Sequence, residues 1–135
     1  MSETRILLVD DEPALVRLLE TFLKQRGFGV DAFQGSAAAL EKFTAAPGRY
    51  HLIIADITMP GLAGDAMALQ CAGLSASVRI LLTSGLPFNT DVFPPGIRER
   101  SAFLQKPFLP KMVMDSIERL LGGRHRPQPP PPRPE

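Results

Sequence analysis

Four stretches of this 135-residue chain carry groups able to do chemistry, and each follows a short apolar run. Arg5–Val9 runs into Asp10, Asp11 and Glu12, and Leu52–Ala55 runs into Asp56. Val78–Leu82 runs into Thr83 and Ser84, and Ala102–Leu104 is followed by Lys106. As a set these residues offer carboxylate oxygens, hydroxyls and an ammonium group. Short aliphatic runs of this kind read as strands buried on both faces. In an open α/β sheet, ligands bind beyond the carboxyl ends of the strands, at the topological switch point. If the first and third strands are neighbours, three acidic residues meet there. Each group has a plain explanation taken singly: an Asp after a strand forms turns, a Thr favours strands, a Lys faces solvent, and paired Asp residues favour a helix start. Those causes would have to coincide on one edge in strand order, whereas a single ligand site accounts for all of them.

The elements that must position these groups are legible in the pattern. Pro13 sits where a first helical turn tolerates it, and Leu15, Leu18, Leu19 and Phe22 fall on one helical face. Lys24 and Arg26 occupy the last turn, and Gly27 is placed to end it. Phe28–Phe33 reads as a second strand ending in Gln34, without a comparable charge. Ser36 is placed to cap a helix to about Thr44, closed by Pro47-Gly48. Gly64–Ala72 is a further helix. Pro110 opens a last one, with Val113, Ile117, Leu120 and Leu121 on a stripe and Gly122-Gly123 at its end. Five strands separated by helical segments predict a parallel sheet covered on both faces, with right-handed crossovers. The segment "PFNTDVFPPGIRER" (Pro87–Arg100) breaks the pattern. Pro94-Pro95-Gly96 should halt a helix there, leaving at most one or two turns around Asn89–Phe93. The tail Arg124–Glu135, with "RPQPPPPRPE", lacks apolar surface to bury and is expected to be extended and mobile.

The length fits one domain with a sizeable core. A net charge of +1 gives no field to draw nucleic acid or an anionic membrane. With no basic patch and base-reading helix, direct DNA binding is not expected. The single Cys71 has no partner for an internal disulfide and reads as a buried bystander thiol. No apolar run approaches membrane-spanning length, and Met1-Ser2-Glu3-Thr4-Arg5 lacks a signal-peptide core. The expectation is a cytoplasmic protein in a reducing compartment, without membrane insertion.

The motifs "LLVDDEP" (Leu7–Pro13), "DITMPGLAG" (Asp56–Gly64), "LLTSG" (Leu81–Gly85) and "LQKPF" (Leu104–Phe108) resemble the receiver domain of two-component response regulators, the CheY-like superfamily. The resemblance spans about Arg5 to Leu121, giving a receiver domain over residues 1–123 and a tail over 124–135. It implies a doubly wound five-stranded sheet in the flavodoxin-like order 2-1-3-4-5, with a short or broken fourth helix here. By that resemblance Asp56 is the phosphoryl acceptor. Asp10 and Asp11, with Asp56 and the Thr58 carbonyl, hold Mg2+. Thr83 and Lys106 contact the phosphoryl group, and Phe103 is the aromatic switch. The Lys106–Pro107 peptide is expected to be cis. The upstream partner would be a histidine kinase or a histidine phosphotransfer protein, and the downstream partner a protein. The expected role is signalling, with self-directed phosphotransfer and dephosphorylation only, not turnover of an external substrate.

The residue types suit that chemistry. A carboxylate attacking an anionic phosphorus faces repulsion, which a divalent cation reverses, and magnesium takes oxygen ligands and bridges carboxylate to phosphate. The break at Met59-Pro60-Gly61 keeps a helix from starting at once and leaves carbonyls for a metal, and Gly64 is expected to supply backbone freedom. Two rival readings are a haloacid-dehalogenase-like phosphatase and a receiver-fold scaffold that is never phosphorylated. The first wants a second Asp two residues after the nucleophile, where Thr58 stands. The second is disfavoured because every chemical position is filled. The shortened Pro87–Arg100 segment replaces the helix that forms part of the family's usual output face. The proline tail reads either as a linker to a longer protein or, slightly preferred, as the end of a single-domain regulator.

Overall fold

The computed structural model describes residues 4–122. The strands are β1 (Arg5–Val9), β2 (Gly29–Phe33), β3 (Leu52–Asp56), β4 (Arg79–Ser84) and β5 (Ser101–Gln105). The helices are α1 (Pro13–Gln25), α2 (Ser36–Ala45), α3 (Gly64–Leu74), α4 (Pro95–Arg98) and α5 (Pro110–Leu121). The five strands form one sheet in the order β2-β1-β3-β4-β5, with every pairing parallel. This is the doubly wound, flavodoxin-like arrangement, and its switch point lies between β1 and β3.

Burial on both faces explains the unbroken apolar runs. Leu7, Val9, Ile53, Ala55, Ile80 and Leu82 pack on one face with α2 and α3. Ile6, Leu8, Leu52, Ile54 and Leu81 pack on the other with α1 and α5. The alternation is that of a pleated strand, whose successive side chains point to opposite faces. All five residues of β3 are buried, so this strand is held from every side.

Four sequence expectations are corrected. On α1 the buried stripe is Val16, Leu19 and Leu23, while Leu18 is 52% exposed. Two apolar stripes lie side by side on this helix and the sheet covers only one. Leu15 and Phe22 reach its margin. Ser36 is the first residue of α2 rather than its cap, a place taken by Gly35. The Ser36 hydroxyl instead donates to the Leu62 carbonyl at 2.7 Å, tying α2 to the loop before α3.

The third correction concerns Pro94-Pro95-Gly96. A 3-10 turn does form at Thr90–Val92, but α4 then begins at Pro95. Proline opens this helix because its missing N–H is one that a first turn leaves unpaired anyway. Arg100, just beyond α4, donates to the carbonyls of Ser75 and Val78 at 2.8 Å each and of Ala72 at 3.3 Å. One guanidinium thus fastens the short α4 segment to the end of α3. The fourth correction, at Gly64, belongs to the site.

The tail 124–135 and Gly123 lie outside the described residues. Among the described residues, no helix is long and apolar enough to cross a membrane. Cys71 is fully buried, and burial pushes its thiol up to about 12, consistent with a packing role.

Candidate functional site

The parallel register assembles the pocket. Asp56 ends β3 and has Thr83 of β4 as its Cα partner, so the two side chains leave the same face of the sheet. Both are buried, Asp56 at 4% and Thr83 at 2% exposure. The Ile57 N–H donates to the Thr83 carbonyl at 2.8 Å and extends the ladder one residue beyond the strand. β1 lies on the other side of β3, bringing Asp10 and Asp11 from its carboxyl end. Carboxylate oxygens of Asp10, Asp11 and Asp56 all lie within 4.8 Å of one another. Asp10 is buried and Asp11 exposed.

Lys106 closes the group from β5. Its backbone N–H donates to the Ser84 carbonyl at 2.7 Å, which fixes the chain after the strand. Its ammonium lies 2.9 Å from Asp10, 3.5 Å from Asp56 and 2.7 Å from Glu12. The Lys106–Pro107 peptide is cis.

The electrostatics arise from crowding. Burial raises the Asp56 carboxyl above its ordinary 3.8, and the Asp10 charge raises it further. Lys106 and the Thr58 N–H, 3.4 Å from Asp56 Oδ1, pull the other way without cancelling the rise. For Lys106, burial works against the ammonium. Hydrogen bonds to Glu12 and Asp10 and the charges of Asp10 and Asp56 outweigh it, so the proton is held more tightly than usual.

The loop after β3 reveals why residue 64 is glycine. A Cβ there would stand 2.0 Å from the Asp56 carbonyl oxygen and 2.7 Å from its carbon. The requirement is close backbone approach, not the dihedral freedom expected from sequence. Within the same loop it is Gly61 that needs such freedom, with φ at +77°. The Gly64 N–H donates to the Ile57 carbonyl at 3.0 Å and locks the start of α3 against the end of β3.

Thr58 lies in this loop with an exposed side chain. Phe103 is half-buried in β5, beside Leu82 and against the α3-side core. Its ring centroid is 5.9 Å from that of Phe88, which is 5.8 Å from that of Phe93. Asp10, Asp11, Asp56 and Lys106 are therefore brought together, Thr83 borders them, and Phe103 lies one strand away. Two features escape sequence reasoning. Glu12 is visible as the last of three acidic residues, but only the fold shows its contact with Lys106. A groove of about 620 Å³ also opens beside the pocket, lined by Glu12, Leu15, Leu18, Lys106, Pro107 and Phe108.

Fold and pocket define a flavodoxin-like α/β protein with a cluster of carboxylates, closed by a lysine, at its switch point. Residues 6–118 match the model of the response regulator receiver domain, and the chain belongs to that family. It is 33% identical over 122 residues to the transcriptional regulatory protein ResD of Bacillus subtilis, covering 89% of this chain and 49% of ResD. It is 29% identical over 120 residues to the chemotaxis protein CheY of the same organism, covering 87% of this chain and 98% of CheY. The chain thus spans about half the length of the first relative and nearly all of the second. Among solved structures it resembles the response regulator TrrA of Thermotoga maritima in complex with Mg(2+)-BeF. The TM-score is 0.70 and the identity 28%, over 87% of this chain and 99% of TrrA.

Proposed function

We propose that this chain is a phosphoacceptor: Asp56 takes a phosphoryl group from a phosphohistidine donor, and the protein changes conformation to control a protein partner. The observation that carries this reading is the grouping of Asp56 with Asp10, Asp11 and Lys106 in one pocket. The all-oxygen donor set of Asp10, Asp11 and Asp56, joined by the Thr58 carbonyl, fits a hard divalent cation such as Mg2+. When bound, the ion neutralises charge between the carboxylates and an incoming phosphoryl group. The TrrA complex supports the same assignment by similarity.

The chain's own residues supply the rest. An Asp56 carboxylate oxygen attacks phosphorus, the bond to the donor imidazole breaks, and an acyl phosphate forms. Lys106 offers a compact positive charge to the phosphoryl oxygens. Thr83 offers them its hydroxyl, and the burial of Asp56 limits access of bulk water. There is little covalent work left, since positioning and charge stabilisation carry phosphoryl transfer. Drawing Thr83 toward the phosphoryl group shifts the loop after β4. Phe103 can then repack, with Phe88 as its neighbour in that loop. The phosphoryl group must bind one arrangement better than the other for this shift to occur.

The upstream donor is a histidine kinase or histidine phosphotransfer protein in the cytoplasm. We assign its docking to the groove at Leu15, Leu18 and Phe108, because that groove opens directly onto Lys106. Family membership disfavours a haloacid-dehalogenase-like phosphatase, and the filled pocket disfavours a silent scaffold. The test is phosphotransfer from candidate histidine kinases to the wild type and to Asp56→Asn. The expected result is label on the wild type alone, and equal labelling of both would overturn the proposal.

A further inference from the structure

Phosphoryl transfer to Asp56 requires no bond to Glu12, yet Glu12 makes the shortest contact to the pocket's ammonium. It precedes α1 at the helix cap position, and its carboxylate lies 2.7 Å from Lys106 Nζ. The corresponding approaches of Asp10 and Asp56 are 2.9 Å and 3.5 Å. A lysine ammonium has three N–H donors. Three carboxylates surround it here and the approach to Asp56 is the longest, so an ammonium that moves in to bind phosphoryl oxygens on Asp56 must loosen its hold on Glu12 or Asp10. The contact that gives way is set by burial. The Asp10 side chain is 4% exposed, and stripping its partner would leave a buried charge less compensated. The Glu12 side chain is 59% exposed, and water can replace the ammonium there at small cost.

We propose that Glu12 is a positioning residue that holds Lys106 in the resting pocket and competes with the phosphoryl group for its ammonium. This rests on the phosphoacceptor reading. Glu12 then tempers how readily Asp56 is charged, and Lys106 exchanges one exposed carboxylate for phosphoryl oxygens as the site fills.

The test is the affinity of the full chain for beryllofluoride at saturating magnesium, measured by calorimetry. Glu12→Gln keeps the shape and an acceptor but removes the charge that strengthens the contact. It is expected to bind beryllofluoride about two- to fivefold more tightly, the scale of one exposed ion pair. Glu12→Asp keeps the charge but shortens the arm, and should resemble Glu12→Gln. The gain from Glu12→Gln should vanish in a Lys106→Met background, as a double-mutant cycle requires if the effect passes through the lysine. An unchanged affinity in Glu12→Gln overturns the proposal. So does wild-type behaviour in Glu12→Asp, which would mean that charge alone acts, or a gain that persists without Lys106. A wild type that binds no beryllofluoride overturns the phosphoacceptor reading, and the role of Glu12 with it.

Discussion

Gly64→Ala adds one methyl group where the structure has no room for it. The new Cβ would stand 2.0 Å from the Asp56 carbonyl oxygen, 2.7 Å from its carbon and 3.1 Å from the Ile57 Cα. All three are backbone atoms, so no side chain can swing aside. The shortest gap must open from 2.0 Å to at least 3.0 Å, which real Cβ contacts require. Either the start of α3 retreats or the Asp56 peptide does, and the 3.0 Å hydrogen bond from Gly64 to the Ile57 carbonyl is stretched in both cases. Overpacking costs typically ~1–3 kcal/mol, and with backbone on both sides the expected loss is ~3 kcal/mol. A shift of that size at the acceptor aspartate should slow phosphorylation by about 10- to 100-fold, since misplacements near 1 Å cost on that scale. Urea unfolding measures the first effect and phosphoramidate labelling with magnesium the second. Gly73→Ala in the same helix is the control. Nothing lies within 4 Å of a Cβ there, and relief of the glycine entropy cost should stabilise by ~0.5 kcal/mol. A Gly64→Ala protein within ~0.5 kcal/mol of the wild type, with unchanged labelling, would refute the close-approach reasoning.

Asp56→Asn should be more stable than the wild type at neutral pH without magnesium. The raised Asp56 carboxyl means that the unfolded chain binds fewer protons above 3.8, so the ionised aspartate weighs against folding at neutral pH. The gain should shrink as the pH falls through the folded-state value toward 3.8, and urea midpoints across pH check the sign. Leu18→Glu, at a 52% exposed position in the groove, should slow phosphotransfer from a protein donor at least ~10-fold while leaving phosphoramidate labelling unchanged. Comparing the two donors on one protein sample reads this out. Tyr50→Phe removes a hydroxyl 2.5 Å from Asp31, in the middle of edge strand β2, and should cost ~1–2 kcal/mol at pH 7 without slowing phosphorylation. Burial raises the Asp31 carboxyl, but the Tyr50 hydroxyl, Arg5 and Arg49 outweigh it and hold it below 3.8. That stabilisation is present above 3.8 and lost as the pH falls through the folded-state value, so the cost of Tyr50→Phe should fade below about pH 4.

The sheet and the pocket are legible in the sequence because strands buried on both faces are unbroken apolar runs, and the residues just past their carboxyl ends share one edge of the sheet. That rule alone locates Asp10, Asp56, Thr83 and Lys106. Resemblance to a family, not periodicity, supplies strand order and residue roles. The failures share a cause. The stripe at Leu15, Leu18 and Phe22 is as apolar as the one at Val16, Leu19 and Leu23, and only docking against the sheet decides which is buried. Pro95 stops a helix when it stands inside one and starts a helix when it stands first, and local sequence does not state which. Gly64 answers to an atom eight residues earlier, Asp56 O, and Glu12 answers to Lys106, 94 residues later. Contacts across the fold of this kind leave no local pattern to read.

The central claim is that Asp56 accepts a phosphoryl group in a pocket shared with Asp10, Asp11 and Lys106. The most direct measurement is peptide mapping of the chain after incubation with phosphoramidate and magnesium, with borohydride reduction to trap the acyl phosphate. The predicted result is one trapped site, at Asp56, absent without magnesium and absent in Asp56→Asn. A trapped site on any other residue, or none on a folded, magnesium-loaded protein, would contradict it.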